Sequence, residues 1–419
     1  MSRRALVIGG SLGGLIAAQL LRRDGWDTVV FERNAEELAS RGVGLGTHPQ
    51  LIAILRRSGV AFDETMGIRV PKVICLGRDG TTTAEQPTSR TMSSWARLYR
   101  ALRDALPAQN YRLGSTLRRV EQDSVGVTAV FADGARERGD ILVAADGIRS
   151  TVREQFSPQV QPVYAGYVAW RAVLDEQHVP PAIRREIFEL YTFCLPEGEQ
   201  LLGYPVPGRD NDTAFGRRGY NIVWYRPTDP TALADLCTDT AGRRYSAGIP
   251  PPLIRGDVID QVKADARALL APQIAEIFVR TEPFFQPIFD LESPRLVFGR
   301  VALLGDAAFV ARPHAGAGTT KAAIDAASLV DCLRENANLD TGLARYAQAQ
   351  QSFGRAMVAL SRQAGAYLSA QLKPIAERTA DELGRDIAGI LRAHGARSDQ
   401  VAAILATGGL DAHSLPAAE

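Results

Sequence analysis

Ala5-Leu6-Val7-Ile8-Gly9-Gly10-Ser11-Leu12-Gly13-Gly14, followed downstream by Thr28-Val29-Val30-Phe31-Glu32-Arg33, is the stretch that decides the fold. Four apolar residues in an unbroken row mark a strand buried on both faces. The glycines make a tight turn, and Leu15 to Arg23 predicts a helix ended by Asp24-Gly25. Thr28 to Phe31 predicts a second strand with Glu32 at its carboxyl end. Such a strand–turn–helix–strand unit sets backbone N–H groups and the positive end of a helix against a pyrophosphate. The glycine pattern is Gly9-x-Ser11-x-x-Gly14, with a serine, still small enough for close approach, at the middle glycine position. Glu32 stands 18 residues past Gly14, where an acid accepts ribose hydroxyls.

The same residues also spell Gly9-Gly10-Ser11-Leu12-Gly13, the G-x-S-x-G turn that presents a nucleophilic serine between strand and helix. Asp306 and His314 follow in the order that a hydrolase triad uses. Position argues the other way, because one oxyanion N–H comes from a loop upstream of such a turn and only ten residues precede Ser11.

Two further strand ends carry acids. Ile141-Leu142-Val143-Ala144-Ala145 runs into Asp146-Gly147, and Val301-Ala302-Leu303-Leu304 runs into Gly305-Asp306. Ligands of doubly wound sheets sit beyond the carboxyl ends of the strands, so three polar ends predict one nucleotide site built from distant segments. Between them the texture changes to short aromatic strands at 164–170, 201–206 and 220–225, separated by turn signals such as Pro207-Gly208, which predicts an inserted antiparallel sheet. After residue 318 the chain reads as helical, with Phe353, Met357, Leu360, Ala364 and Leu368 on one stripe.

The chain has 419 residues, enough for two or three domains at about 150 residues each. Its 48 basic and 47 acidic residues nearly cancel, which argues against a nucleic-acid partner. Cys75, Cys194, Cys237 and Cys332 are scattered singly, so neither a metal site nor a disulfide framework is expected. No apolar run approaches a membrane span, and the start lacks a signal-peptide pattern, so a cytoplasmic enzyme is expected.

Three motifs in this order resemble the FAD-dependent aromatic hydroxylases of the para-hydroxybenzoate hydroxylase type. The glycine turn with Glu32-Arg33 resembles the family's ADP-binding element. Asp146-Gly147-x-x-Ser150-x-x-Arg153 resembles its Asp-Gly motif, and Gly305-Asp306-Ala307-Ala308 with Pro313 its Gly-Asp motif. Tyr164 to Arg171, Tyr204 to Arg209 and Arg312-Pro313-His314-Ala315 are similar to stretches of members that hydroxylate hydroxypyridines. The resemblance covers the chain from 4 to about 365. One position departs from it: Trp95 stands where a helix usually begins with an FAD-contacting Arg, and whether Arg97 or Arg100 substitutes is open.

The resemblance implies an α/β fold: a Rossmann-like FAD-binding domain from 1–70, 96–157 and 299–372, an inserted mainly antiparallel substrate-binding domain from 71–95 and 158–298, and a helical tail from 373–419. It implies FAD as cofactor, NADH or NADPH as a transient electron donor, and O2 plus a small activated aromatic ring, hydroxypyridine or phenol, as substrates. Hydroxylation would proceed through a C4a-hydroperoxyflavin. Gly9, Ser11, Gly14, Glu32, Arg33, Asp146, Gly147, Arg153, Gly305, Asp306, Pro313, Gly316 and Gly318 are the expected cofactor residues. Gly316-Ala317-Gly318 opens a helix whose N–H groups would face the flavin.

The absence of a second glycine turn favours this class over flavoproteins that hold the nicotinamide permanently. A homodimer, a flavin epoxidase, a decarboxylating hydroxylase and a redox-sensing flavoprotein without turnover remain open within the fold. A ring hydroxyl reacts faster once deprotonated, and histidine suits that task near neutral pH. His314, next to Pro313, is the first candidate base, with a structural histidine as the plain alternative. His48, in the 42–49 loop, is the second. Tyr204 and Tyr225 fit either substrate orientation or core packing, and Arg171 and Arg209 fit an ion pair as well as a binding role.

Overall fold

The computed structural model describes residues 3–38, 44–62, 66–208, 211–246, 248–379, 382 and 400–408. Six strands form the first sheet in the order Val297–Phe298, Val301–Leu303, Ile141–Ala144, Arg4–Ile8, Asp27–Phe31, Tyr111–Arg112. All pairings but the first are parallel. The three expected acid-bearing strands are therefore close together, Val301–Leu303 beside Ile141–Ala144 and Arg4–Ile8 between the latter and Asp27–Phe31, and their carboxyl ends lie along one edge of the sheet. Leu6, Val7, Leu142, Val143, Val301 and Leu303 are fully buried, as strands covered on both faces must be. The Leu12–Arg23 and Gly318–Glu335 helices pack against this sheet and each other, joining its strands in one apolar core.

A second sheet has nine strands, in the order Phe309–Val310, Phe284–Glu292, Val163–Asp175, Gly219–Pro227, Gln200–Val206, Tyr191–Cys194, Ile68–Leu76, Thr82–Ser94, Gly44–Gly46. Only the Tyr191–Cys194 and Ile68–Leu76 pair is parallel. Alternation decides which residues face which layer. Tyr220, Ile222 and Trp224 pack with Phe278, Ile274 and Val262 on a helical layer, whereas Val223 and Tyr225 join Tyr167 and Leu368 on the opposite face. The edge strands Gly44–Gly46 and Phe309–Val310 come from segments expected in the nucleotide domain, so the sheet ties the two halves together. Its Ile68–Leu76 strand also begins before the expected boundary at 71.

The predicted C-terminal stripe is two helices, not one. Leu339–Ala364 ends at Gly365, and Ala366–Ala370 follows. A Cβ on Gly365 would stand 2.6 Å from the Tyr167 hydroxyl and 2.9 Å from the His314 ring, so the break falls where those two side chains fill the space. Most of the tail expected to be helical lies outside the described residues; within them, residues 400–407 are helical. Arg209 also lies outside them. Among the described residues no helix is long and apolar enough to cross a membrane, and no three His, Cys, Asp or Glu side chains gather as a metal site. The four cysteines are free thiols.

Candidate active site

The carboxyl edge of the parallel sheet opens into a crevice lined by Gly9, Ser11, Glu32, Arg33, Trp95, Asp146 and Gly147, among others. Gly9 takes φ +107°, and a Cβ there would meet the Ala145 carbonyl at 2.3 Å. Gly14 does not line the crevice. A Cβ on it would stand 1.9 Å from the Gly9 carbonyl, so its smallness lets the helix start directly under the turn. That helix begins at Leu12, three residues earlier than expected, with Ser11 as its N-cap. The serine hydroxyl makes no capping bond and remains available in the crevice. Glu32 is held ready: its Oε2 accepts the Gly10 N–H at 2.8 Å and its Oε1 the Asn34 N–H at 2.9 Å.

Asp146 takes the Val152 N–H on Oδ2 at 3.2 Å. Its Oδ1 is shielded from water and has no donor among the described residues. Burial raises its carboxyl above the usual range. A shielded acceptor without a donor is costly unless a ligand supplies one. Gly318 makes a similar point at the other end of the site. Nothing lies within 4 Å of where its Cβ would be, so protein packing does not explain its small size. Room for backbone approach to a bound group does. Pro313 and Gly316, at φ +63°, shape the turn just before it. Asp306 is accessible although protein crowds around it, as befits a side chain lining a deep cleft, and that crowding raises its carboxyl. These features fit FAD.

Arg153 has a different place from the expected one. Its side chain is buried, and Nη1 donates to the Ala307 carbonyl at 3.1 Å and Nη2 to the Ile148 carbonyl. It clamps the Asp-Gly loop to the Gly-Asp loop and does not line the crevice. Ser150 directs it there by capping the short helix through the Arg153 N–H. Trp95 lines the crevice, stacked on Tyr99 with centroids 5.1 Å apart. Neither Arg97 nor Arg100 lines it, and Arg97 donates to the Asn211 carbonyl and the Met66 sulfur.

The inner face of the large sheet meets the Pro313–Gly318 turn around His314. His314 Nε2 is 2.8 Å from the Tyr167 hydroxyl, and its ring packs 4.4 Å from that of Tyr225. Tyr167 was not singled out from the sequence, although it sits in the quoted Tyr164–Arg171 stretch. Arg312 backs it and is itself fixed on Asp290 at 2.7 Å and on Ser369 at 2.7 Å. Burial pushes the Tyr167, Tyr204 and Tyr225 hydroxyls well above the ordinary tyrosine range, so all three stay protonated and able to donate. Tyr204 donates to the Gly44 carbonyl at 3.1 Å and stacks on Tyr191. Tyr225 has no hydrogen-bond partner among the described residues.

His48 holds the N-cap position of the Pro49–Arg57 helix without a side-chain capping bond, and its Nδ1 meets the Thr320 hydroxyl at 2.9 Å. It thus joins that helix to the first turn of Gly318–Glu335. Burial, helped by the charge of Arg90, lowers its pKa to about 4, so it is neutral at working pH and poorly suited as a base. A folded pKa below the unfolded value of 6.5 means the unfolded chain binds the extra proton. Stability therefore falls as pH drops from about 6.5 towards 4. Exchanging His48 for Gln removes roughly 3 kcal/mol of the wild-type fall in unfolding free energy over that window, measured by urea unfolding at several pH values. An unchanged pH slope would show that His48 is not held neutral.

His314 is engaged by Tyr167 and makes no bond to Ser11, so the triad order read in the sequence does not assemble. Comparison with known proteins agrees. Residues 164–290 match the family model described as FAD binding domain-like. The chain is 32% identical over 357 residues to 2,6-dihydroxypyridine 3-monooxygenase of Paenarthrobacter nicotinovorans, covering 84% of this chain and 88% of that one. It is 30% identical over 363 residues to an FAD-dependent urate hydroxylase of Klebsiella pneumoniae, covering 82% and 84%. The solved structure of 2,6-dihydroxypyridine-3-hydroxylase from Arthrobacter nicotinovorans superposes with a TM-score of 0.83 at 28% identity, covering 92% of this chain and 97% of that one. The chain belongs to the FAD-dependent aromatic hydroxylases, flavoprotein monooxygenases that use NAD(P)H and O2 to hydroxylate an activated ring.

Proposed function

We propose that this enzyme hydroxylates a hydroxypyridine, with His314 as the base that activates the ring. The carrying observation is the placement of His314 on the turn before Gly318, held by Tyr167 and packed on Tyr225. Bound FAD supplies the chemistry that turns O2 into an electrophile. The protein's part is to hold, orient and deprotonate. Ser11, Glu32 and the first turn of Leu12–Arg23 would hold the ADP half, Asp146 and Gly147 the pyrophosphate region, and Asp306 the ribityl chain. The N–H groups opening Gly318–Glu335 would face the flavin, where the helix end favours negative charge by about 1 kcal/mol.

On the substrate side, His314 is oriented by donating its Nε2–H to the Tyr167 oxygen, which leaves the Nδ1 lone pair to take the proton from the ring hydroxyl. The oxyanion left behind makes the ring electron-rich. Tyr225, whose hydroxyl has no partner among the described residues, donates to that oxygen. The relative with 32% identity is named for 2,6-dihydroxypyridine, which supports that ring class. The division into domains given by the sequence, a cytoplasmic location and a homodimer belong to the same proposal; size-exclusion chromatography checks the last.

The test is a visible spectrum of the purified protein, then oxidation of NADH and of NADPH under air with and without 2,6-dihydroxypyridine. The expected result is a flavin spectrum, ring-stimulated oxidation and a product one oxygen heavier. A flavoprotein stimulated by no hydroxypyridine would overturn the substrate class.

A further inference from the structure

Two polar side chains on the inner face of the large sheet are unsatisfied among the described residues. Asn221 is fully buried; its Oδ1 accepts the Gly44 N–H at 3.3 Å, but its Nδ2 has no acceptor. Arg171, on the neighbouring strand, has its Nε shielded from water and likewise without an acceptor. Two arginines of the Gly219–Pro227 region differ. Arg218 is paired with Glu176 and Glu189, and Arg226 with Glu199 and Asp265. Keeping a guanidinium Nε–H and an amide NH2 shielded without acceptors is costly, and a ligand that brings acceptors removes the cost.

The register locates both donors. Arg171 opposes Val223, and Asn221 opposes Tyr204 on one side and Val173 on the other. Tyr225, beside His314, opposes Ala169. At about 3.4 Å per residue, Arg171 and Asn221 lie roughly 7 to 13 Å along the strands from the His314 end. A single six-membered ring with an oxygen at each end, and a hydrogen bond of about 2.8 Å beyond each oxygen, spans such a gap.

We propose that Arg171 and Asn221 anchor a second ring-borne oxygen, carbonyl or oxyanion, at the end of the substrate away from His314. The enzyme then selects six-membered rings with two oxygen functions over rings with one. This rests on the reading of the His314 side as the substrate site.

Titration of the FAD-loaded enzyme, followed by the change in flavin absorbance, compares 2,6-dihydroxypyridine with 2-hydroxypyridine. Arg171→Met raises Kd for the two-oxygen ring by roughly 10- to 100-fold and leaves the one-oxygen ring within about threefold. Arg171→Lys keeps the cation but not the planar fork, and gives an intermediate loss for the two-oxygen ring alone. If Met prevents FAD binding, the Lys variant decides. An unchanged Kd, or equal weakening of both rings, overturns the anchor and leaves the hydroxylase reading standing. A wild-type enzyme that responds to neither ring, in absorbance or in NADH oxidation, overturns both.

Discussion

Replacing His314 by alanine leaves FAD bound and slows hydroxylation by roughly 10²- to 10⁴-fold, the range for loss of a positioned base. Binding survives because the crevice that would hold the ADP half and the pyrophosphate is built from Ser11, Glu32 and Asp146, none of which touches His314. The loss also has a signature beyond rate. A ring that keeps its proton is a poor nucleophile, so reducing equivalents are diverted from product. Hydrogen peroxide formed per NADH oxidised should rise while ring-hydroxylated product falls. Tyr167→Phe is the milder companion. It removes the 2.8 Å contact that orients the imidazole but leaves the base, so its rate should lie between wild type and His314→Ala, with partial uncoupling. Unchanged turnover and coupling in His314→Ala would make the histidine structural and leave Tyr225 as the group to examine.

The parts of this protein that sequence made legible are those fixed by near neighbours. A strand buried on both faces has an unbroken apolar run, and a turn that brings Gly14 under the Gly9 carbonyl has little choice of residue, so the βαβ unit and its acid could be read directly. Strand alternation likewise separated Trp224 from Tyr225. What could not be read depends on segments far apart in the chain. Tyr167 and His314 are 147 residues apart, and nothing local to either marks them as partners. Arg153 matched a motif by type and spacing, yet its side chain runs inward to backbone carbonyls because Ser150 caps the helix at that residue. Gly44–Gly46 is too short and too glycine-rich to show as a strand. Its pairing rests on Met92 to Ser94 across the sheet, and Tyr204 and Asn221 bind Gly44 itself.

Replacing Lys321 with methionine should cost the fold roughly 3–5 kcal/mol, the usual penalty for stripping a buried charge of its partner. The ammonium is buried in the second turn of Gly318–Glu335, 2.7 Å from Asp325 and 2.9 Å from the Gly305 carbonyl. Asp325 also accepts the Gly305 N–H at 2.9 Å. The pair therefore grips both sides of the residue preceding Asp306, and this links the stability of the helix to the geometry of the cofactor turn. Without Lys321, the Asp325 carboxylate is buried without a cation, and its pKa, already raised by burial, rises further. The folded chain then holds a proton that the unfolded chain, titrating near the ordinary value, has released. Stability of the variant falls as pH rises between those two values, so the deficit is larger at pH 8 than at pH 5.5. Adding Asp325→Asn removes the stranded charge while keeping an acceptor for the Gly305 N–H, and recovers much of the loss. Urea unfolding at the two pH values checks this, with FAD affinity measured alongside. A deficit under about 1 kcal/mol that ignores pH would show that the ion pair is not what holds the turn.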